Sequence, residues 1–258
     1  MLQFIKNIYK FRYLLIELVA RDIKKKYRRS ILGVFWSLLN PIFTMLITAM
    51  IFSHLFRFDI ENYPLYLLCG QIIYTFYNES TRFAMLAIIE NGTLLKKVYV
   101  LKYLFPTSRV LSSCVNLLFT LPALLLIIVV TDANFSLATL TFIIPLALML
   151  IFCLGVGLIL STLAVYFRDM VHLYSVFLSL LSYATPIFYP ESIVPEEYSL
   201  VLKLNPICYF LRAFRQSVCD GQIPELDLLL ICFVISMVTI FSGWALFKKY
   251  QNHFVLYI

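Results

Sequence analysis

RDIKKKYRRSILGVFWSLLNPIF, residues 21–43, sets five basic side chains, Lys24, Lys25, Lys26, Arg28 and Arg29, directly against a hydrophobic run. From Ser30 to Phe56 there is no Asp, Glu, Lys or Arg. A spanning helix needs about 20 apolar residues. Lysine and arginine beside such a span are retained on the cytoplasmic side. The junction therefore predicts a membrane helix whose N-terminal flank lies in the cytoplasm.

Composition extends that reading to the whole chain. Of 258 residues, 62% are hydrophobic and 14% charged, with a mean hydropathy of +0.89. Soluble domains carry about 25% charged residues, and so much apolar surface needs a bilayer as its solvent. Charge interrupts the first thirty residues throughout, so no secretory signal peptide is expected there. The net charge of +7 concentrates beside apolar segments. That pattern suits topology and anionic lipid rather than nucleic acid. The six cysteines show no CxxC or Cys/His spacing and fall mostly in apolar segments, as small hydrophobes do.

Six segments are long and apolar enough to span: 32–56, 63–89, 110–131, one within 135–167, 171–189 and 228–247. With the N-terminus inside, the pieces 1–31, 90–109, 166–172 and 248–258 face the cytoplasm and hold sixteen Lys and Arg, against four on the outer side. This predicts an all-α polytopic protein, a single transmembrane domain over 1–258 with both termini cytoplasmic.

Three pieces lie outside the spans. Residues 1–29 form an amphipathic helix: Lys6, Lys10, Glu17, Arg21, Lys24 and Arg28 fall on one face, and Phe4, Ile8, Phe11, Leu15, Leu18 and Val19 on the other. Such a helix lies at the interface, as a lipid anchor or also as a contact for a cytoplasmic partner. Residues 90–105 read as a short cytoplasmic helix capped by Asn91, with Leu94, Leu95, Val98, Leu101 and Lys102 at helical spacing and Pro106 barring continuation. It is either a docking helix or an ordinary loop. Residues 186–223, punctuated by Pro186, Pro190, Pro195 and Pro206 yet apolar, predict short broken helices re-entering the outer leaflet, with one over 207–220 ended by Gly221.

Enzymatic chemistry is missing from the pattern. None of the seven glycines opens a GxxxxGK[ST] loop, no HExxH or GxSxG occurs, and the three histidines are scattered. No catalytic or metal-binding residue is assigned. Gly155 and Gly157 suit helix packing. Glu79 and Arg82 are the charges inside a predicted span; at i and i+3 they can neutralise each other or line a pathway. Aromatic residues are abundant, and Tyr66, Tyr74, Phe76, Tyr77, Tyr183, Phe188 and Tyr189 exceed what interfacial belts need. They suit a sugar path, or packing against helices and lipid.

RDIKKKYRRSILGVFWSLLNP at 21–41, FPTSRVLSS at 105–113, VYFRDMVHL at 165–173, TPIFYPESIVP at 185–195 and LNPI at 204–207 occur in an order that resembles the membrane permease subunit of bacterial polysaccharide ABC exporters, within the ABC type-2 permeases. O-antigen permeases look closest; capsule and teichoic-acid permeases share these pieces. The resemblance implies a homodimer in the bacterial inner membrane, working with two copies of a separate ATPase subunit that binds ATP and Mg. No cofactor is expected on this chain, and no nucleic acid. The cargo implied is a lipid-linked glycan. The resemblance further implies that spans one, two and five line the channel, with Trp36, Tyr74, Tyr77, Glu79, Arg82, Tyr183 and Phe188 as candidate lining. Asn91, Leu94, Leu95 and Val98 are candidate ATPase-coupling residues. Arg21, Lys24, Arg28 and Arg29 sit where the substrate's pyrophosphate would arrive, and 186–223 would form outer gate helices. A small-molecule or drug ABC permease is the alternative that shares the fold. A membrane glycosyltransferase would need paired acids on a loop, where Glu196–Glu197 is the only adjacent pair.

Overall fold

A computed structural model describes residues 9–28, 30–55, 60, 62–98, 100–133 and 136–257. Among them the chain is helical throughout, with no strand. In order come α1 (Arg12–Tyr27), α2 (Trp36–Leu55), α3 (Tyr63–Glu90), α4 (Gly92–Lys97), α5 (Leu104–Val130), α6 (Ile143–Tyr166), α7 (Met170–Ala184), α8 (Ser199–Leu204), α9 (Pro206–Val218), α10 (Leu226–Tyr250) and α11 (Phe254–Tyr257). Each expected span overlaps a helix, and the one expected over 171–189 ends early, at Ala184. Four stretches are long and apolar enough to cross a membrane: Gly33–Phe52, Leu104–Val130, Leu137–Tyr166 and Leu226–Tyr257. α3 has the length, 28 residues, but also carries Glu79, Arg82 and Glu90; α7 is apolar but has only 15 residues.

Local chemistry sets several boundaries. The Asn62 side chain accepts from Leu65 N at 3.3 Å and caps α3, with Pro64 in the first turn. Asn205 does the same for α9, accepting from Ile207 N at 3.0 Å ahead of Pro206. Gly221, with φ at +60°, follows α9 as expected of a glycine stop. α5 begins at Leu104, six residues before the expected Val110, with Pro106 in its first turn. First-turn N–H groups have no intrahelical acceptor, so proline costs nothing there. Pro41 lies deeper, inside α2, and leaves the Ser37 carbonyl without its helical donor. Thr120 Oγ1 of α5 donates to that carbonyl at 3.3 Å. A neighbouring hydroxyl thus supplies the donor that the helix lacks.

α3 stands at the centre, against α2, α5, α6, α7 and α9, and sixteen of its residues are buried. α6 and α10 form the closest pair. A Cβ on Gly155 would meet the Thr239 carbonyl carbon at 2.5 Å, and one on Gly243 would strike the Gly155 carbonyl oxygen. A Cβ on Gly157 would meet Ala84 of α3 at 2.8 Å. These glycines act through close packing, as small residues do in lipid. Cys69, Cys153, Cys208 and Cys232 are buried, and all six cysteines are free thiols. α2 differs from its neighbours: Met45 is its one buried residue among those with described side chains, while Phe35, Phe43, Ile47 and Met50 are exposed.

The helix expected over 90–105 is shorter than expected. It ends at Lys97, and Val98 is already extended. The segment 186–223 is built of 3-10 turns at Glu191–Ile193 and Glu196–Tyr198 followed by α8 and α9. The N-terminal amphipathic helix is described from residue 9 onward, so Phe4, Lys6 and Ile8 lie outside the described residues.

Candidate functional site

The polar faces of α2, α3 and α5 converge on a cavity of about 270 Å³. α2 contributes Ser37, Asn40 and Thr44. α3 contributes Gln71, Thr75 and Glu79, spaced one helical turn apart. α5 contributes Ser113, Asn116 and Thr120 at the same rhythm. Side chains four apart share a helix face, so each stripe turns one face inward. Glu79 and Gln71 are separated by about 12 Å along α3.

The end of α1 closes one end of this cavity. Lys26 Nζ donates to both Glu79 oxygens, at 3.0 and 3.2 Å. Tyr27 Oη donates to Asn116 Oδ1 at 3.2 Å, and Asn116 Nδ2 lies 3.4 Å from Glu79 Oε2. Trp36 lines the wall beside them. Deeper in, both side-chain polar atoms of Gln71 are buried and have no hydrogen-bond partner among the described residues. A buried amide without partners costs about 1–3 kcal/mol.

A second polar cluster joins three elements beside α4. Asp22 is buried, following Leu15 and Leu18 on the inner face of α1. It receives Arg21 at 3.2 Å and Arg109 at 3.4 Å. Arg109 also reaches Glu90 at 2.6 Å. Arg21 Nη1 donates to Asn91 Oδ1 at 3.2 Å, and Asn91 Nδ2 donates to the Ala87 carbonyl at 2.7 Å. Arg21 and Lys26 are five residues apart on α1, yet their partners Asn91 and Glu79 are separated by about 18 Å on α3. α1 packs on α5, and its long Arg21 and Lys26 side chains reach across to these two partners. Nearby, Lys102 donates to the Gln251 carbonyl at 2.6 Å, and burial pushes its pKa down.

At the opposite end of α3, the buried guanidinium of Arg215 donates to the carbonyls of Pro186 (2.8 Å), Ile187 (3.2 Å) and Tyr66 (3.3 Å). It also stacks over the Tyr66 ring at 3.4 Å. Arg212 pairs with Glu191 at 2.6 Å, and that hydrogen bond holds its pKa up. The proline-rich segment is thereby fastened to α3 and α9.

The residues singled out from the sequence divide. Trp36 and Glu79 line the cavity. Arg82 is exposed and does not pair with Glu79, because Lys26 from α1 takes that carboxylate. Tyr77 is buried and stacks on Phe152 at 5.8 Å, so it packs helices instead of lining the cavity. Tyr174 Oη, next to Tyr77 Oη at 3.4 Å, donates to Thr81 Oγ1 at 2.7 Å. Tyr74 donates to the Leu178 carbonyl of α7. Tyr183 is exposed, and Phe188 stacks on Phe52 at 5.5 Å. Asn91 precedes α4 but caps nothing; its side chain is spent on Arg21 and Ala87. Leu94 and Val98 are exposed, whereas Leu95 is turned inward into a cluster with Leu15, Leu18 and Phe254, which removes it from any docking face. Arg21, Lys24 and Arg28 share a depression with Glu17. Arg29 lies outside the described residues. Asp22, Lys26, Gln71, Arg109 and Asn116 were missed. Asp22 had a signal, one acid continuing the Leu15–Leu18 stripe, and Asn116 and Thr120 share one turn of an otherwise apolar span.

The sequence profile of the ABC-2 type transporter family matches residues 13–218. An O-antigen export system permease protein RfbA from Myxococcus xanthus is 29% identical over 256 residues, 98% of each chain. One of the same name from Klebsiella pneumoniae is 28% identical over 242 residues, 93% of each. The polysialic acid transport protein KpsM of Escherichia coli is 25% identical over 238 residues, 91% of this chain and 92% of its own.

Proposed function

The chain belongs to the ABC-2 type transporter family, and from that premise we propose that it is the transmembrane subunit of an ATP-driven exporter of a lipid-linked polysaccharide, of the O-antigen kind. The observation that carries this reading is likeness over nearly the whole chain to export permeases named for O-antigen and for polysialic acid. A teichoic-acid or capsule polymer is the variant reading within the same class.

In this reading the chain is a six-span protein of the bacterial inner membrane with both termini in the cytoplasm, assembled as a homodimer with two ATPase subunits that hold ATP and Mg. The cytoplasmic excess of Lys and Arg supports that orientation. The open apolar faces of α2 and α7 support a second copy and a channel between copies. Leu94 and Val98, exposed on and just after α4, present the apolar contact that an ATPase groove would take. Closure of the ATPase would displace α4. The Arg21–Asn91 and Arg109–Glu90 ties would pass that displacement to α1 and α5. The exposed Arg21, Lys24 and Arg28 offer cations for a pyrophosphate arriving from the inner leaflet. The segment 186–223, held by Arg215, would gate the outer end.

The test is co-purification with the ATPase, followed by ATP hydrolysis in lipid nanodiscs with and without lipid-linked glycan, and by polymer display in cells lacking the chain. Glycan-stimulated hydrolysis and loss of surface polymer are expected. Hydrolysis that ignores glycan, with surface polymer intact in the deletion, refutes the assignment.

A further inference from the structure

We propose that the cavity between α2, α3 and α5 is a binding pocket, inside each single subunit, for one neutral sugar ring. Its wall is rich in side-chain amides and hydroxyls, each able to match a sugar hydroxyl that both donates and accepts. Its charges cancel, because Lys26 is committed to Glu79 at 3.0 Å. A phosphate placed there would face Glu79 with the one cation of the wall already engaged. Gln71 adds a side-chain amide to the lining whose Nε2 and Oε1 have no hydrogen-bond partner among the described residues. Trp36 adds a ring whose negative face attracts sugar C–H groups.

Size and place agree with a single ring. A volume of about 270 Å³ falls just below the range of drug-sized pockets, too small for a chain of sugars. It holds on the order of nine waters, and ordered water in such a site can be exchanged for hydroxyls that reproduce its hydrogen bonds. The end near Lys26 and Tyr27 is closed by α1, the helix that also touches Asn91 beside α4. The choice of a sugar ring over other polyols rests on the export function proposed above.

Trp36 is one of two tryptophans, and the other, Trp244, packs edge-on to Tyr103 in a separate part of the bundle. In a Trp244→Phe background Trp36 is this chain's one tryptophan, and subtracting the signal of a matched preparation that also carries Trp36→Phe isolates its emission. The full-length chain with its ATPase, in nanodiscs, is titrated with octyl glucoside below its micellar concentration and with octyl phosphate as the anionic match. A saturable change in Trp36 emission is expected with the glucoside only. Gln71→Leu should raise the half-saturation about tenfold, which is about 1.4 kcal/mol, while leaving the melting temperature unchanged or higher, because it removes two unpartnered buried atoms. A Gln71 with a purely structural role would leave the half-saturation where it was. If Gln71→Leu does not fold, Asn40→Leu on the more open wall is read in its place. An equal response to octyl phosphate, no saturation, or an unmoved half-saturation overturns the pocket. Polymer export by the same preparation separates the two readings. Export without a Trp36 response removes the pocket and keeps the exporter, whereas a glucoside response without export leaves a sugar-binding membrane protein that does not export.

Discussion

Replacing Asp22 by Asn tests whether the charge cluster holds α1 in place. The carboxylate side chain is 5% exposed and lies between Arg21 and Arg109, whose side chains are 45% and 13% exposed. Stripping one partner from a fully buried pair costs about 3–5 kcal/mol. Here the loss is smaller, because Arg109 keeps its 2.6 Å contact with Glu90 and Arg21 keeps Asn91 and solvent. What remains is the loss of charged hydrogen bonds, about 1.5–3 kcal/mol in total. At about 2–4 °C per kcal/mol for a chain near this size, 2 kcal/mol predicts a fall of about 4–8 °C in nanodiscs. Arg109→Gln alone leaves Asp22 with the half-exposed Arg21 and a 3.5 Å hydrogen bond from Ser112, and should cost a comparable amount. The double variant should cost less than the two singles combined, since neither residue then leaves a buried charge behind. Additive losses, or an Asp22→Asn melting point within about 1 °C of the parent, would show that the Asp22 cluster does not hold α1.

Other substitutions probe separate levels of the bundle. Gly155→Ala puts a methyl against the Thr239 backbone at 2.5 Å; overpacking of this kind costs about 1–3 kcal/mol and should cut the monodisperse yield on gel filtration, while an unchanged yield would mean α10 can slide aside. Arg215→Lys loses the fork that serves the Pro186, Ile187 and Tyr66 carbonyls. It should lower stability by about 2 kcal/mol and speed proteolysis in the 186–223 segment, and a proteolysis rate equal to the parent's would count against that fastening. Leu94→Asp and Val98→Asp should abolish ATPase binding and export while the chain still inserts. Leu95→Asp should instead reduce folded yield, because Leu95 is buried. Equal behaviour of all three variants in the pull-down would remove the distinction between docking face and core.

Much of the architecture was legible because bilayer thickness imposes it. The six apolar segments fall on helices, although α5 starts six residues early and α7 stops five residues short; a run such as Leu226–Tyr250 has no other way to satisfy its backbone in lipid. The boundary at Pro106 was misjudged for a definite reason: proline forbids a helix interior, but in the first turn it forbids nothing. The cavity was less legible. Period alone shows that Gln71, Thr75 and Glu79 share a face, but the side on which α2 and α5 bring matching faces is a tertiary fact. Glu79 illustrates the limit. Its nearest charged neighbour in sequence is Arg82, three residues on, yet Lys26 reaches it from a helix fifty-three positions earlier. Leu94 and Leu95 show the same blindness at closer range, adjacent in sequence and facing opposite ways.

Apolar burial does not hold helices together in lipid, because the tails are as apolar as leucine. The contacts that set register here are therefore close glycine packing and polar ties. α6 and α10 have the first kind, through Gly155 and Gly243. α3 has the second kind along its length, at Tyr63 and Tyr66 to the carbonyls of Phe188 and Tyr189 (2.7 and 2.9 Å), at Thr81 to Tyr174, and at Asn91 to Arg21. Among the described contacts α2 has fewer of either. It buries Met45, lends the Ser37 carbonyl to Thr120 across 3.3 Å, and stacks Phe52 on Phe188. Such an imbalance makes α2 the easiest of the long helices to displace while α3, α6 and α10 keep their register. α2 also forms one wall of the polar cavity, and the Lys26 and Tyr27 contacts that close the cavity's end go to α3 and α5 rather than to α2. Admitting a ligand therefore requires only that the weakly held wall move.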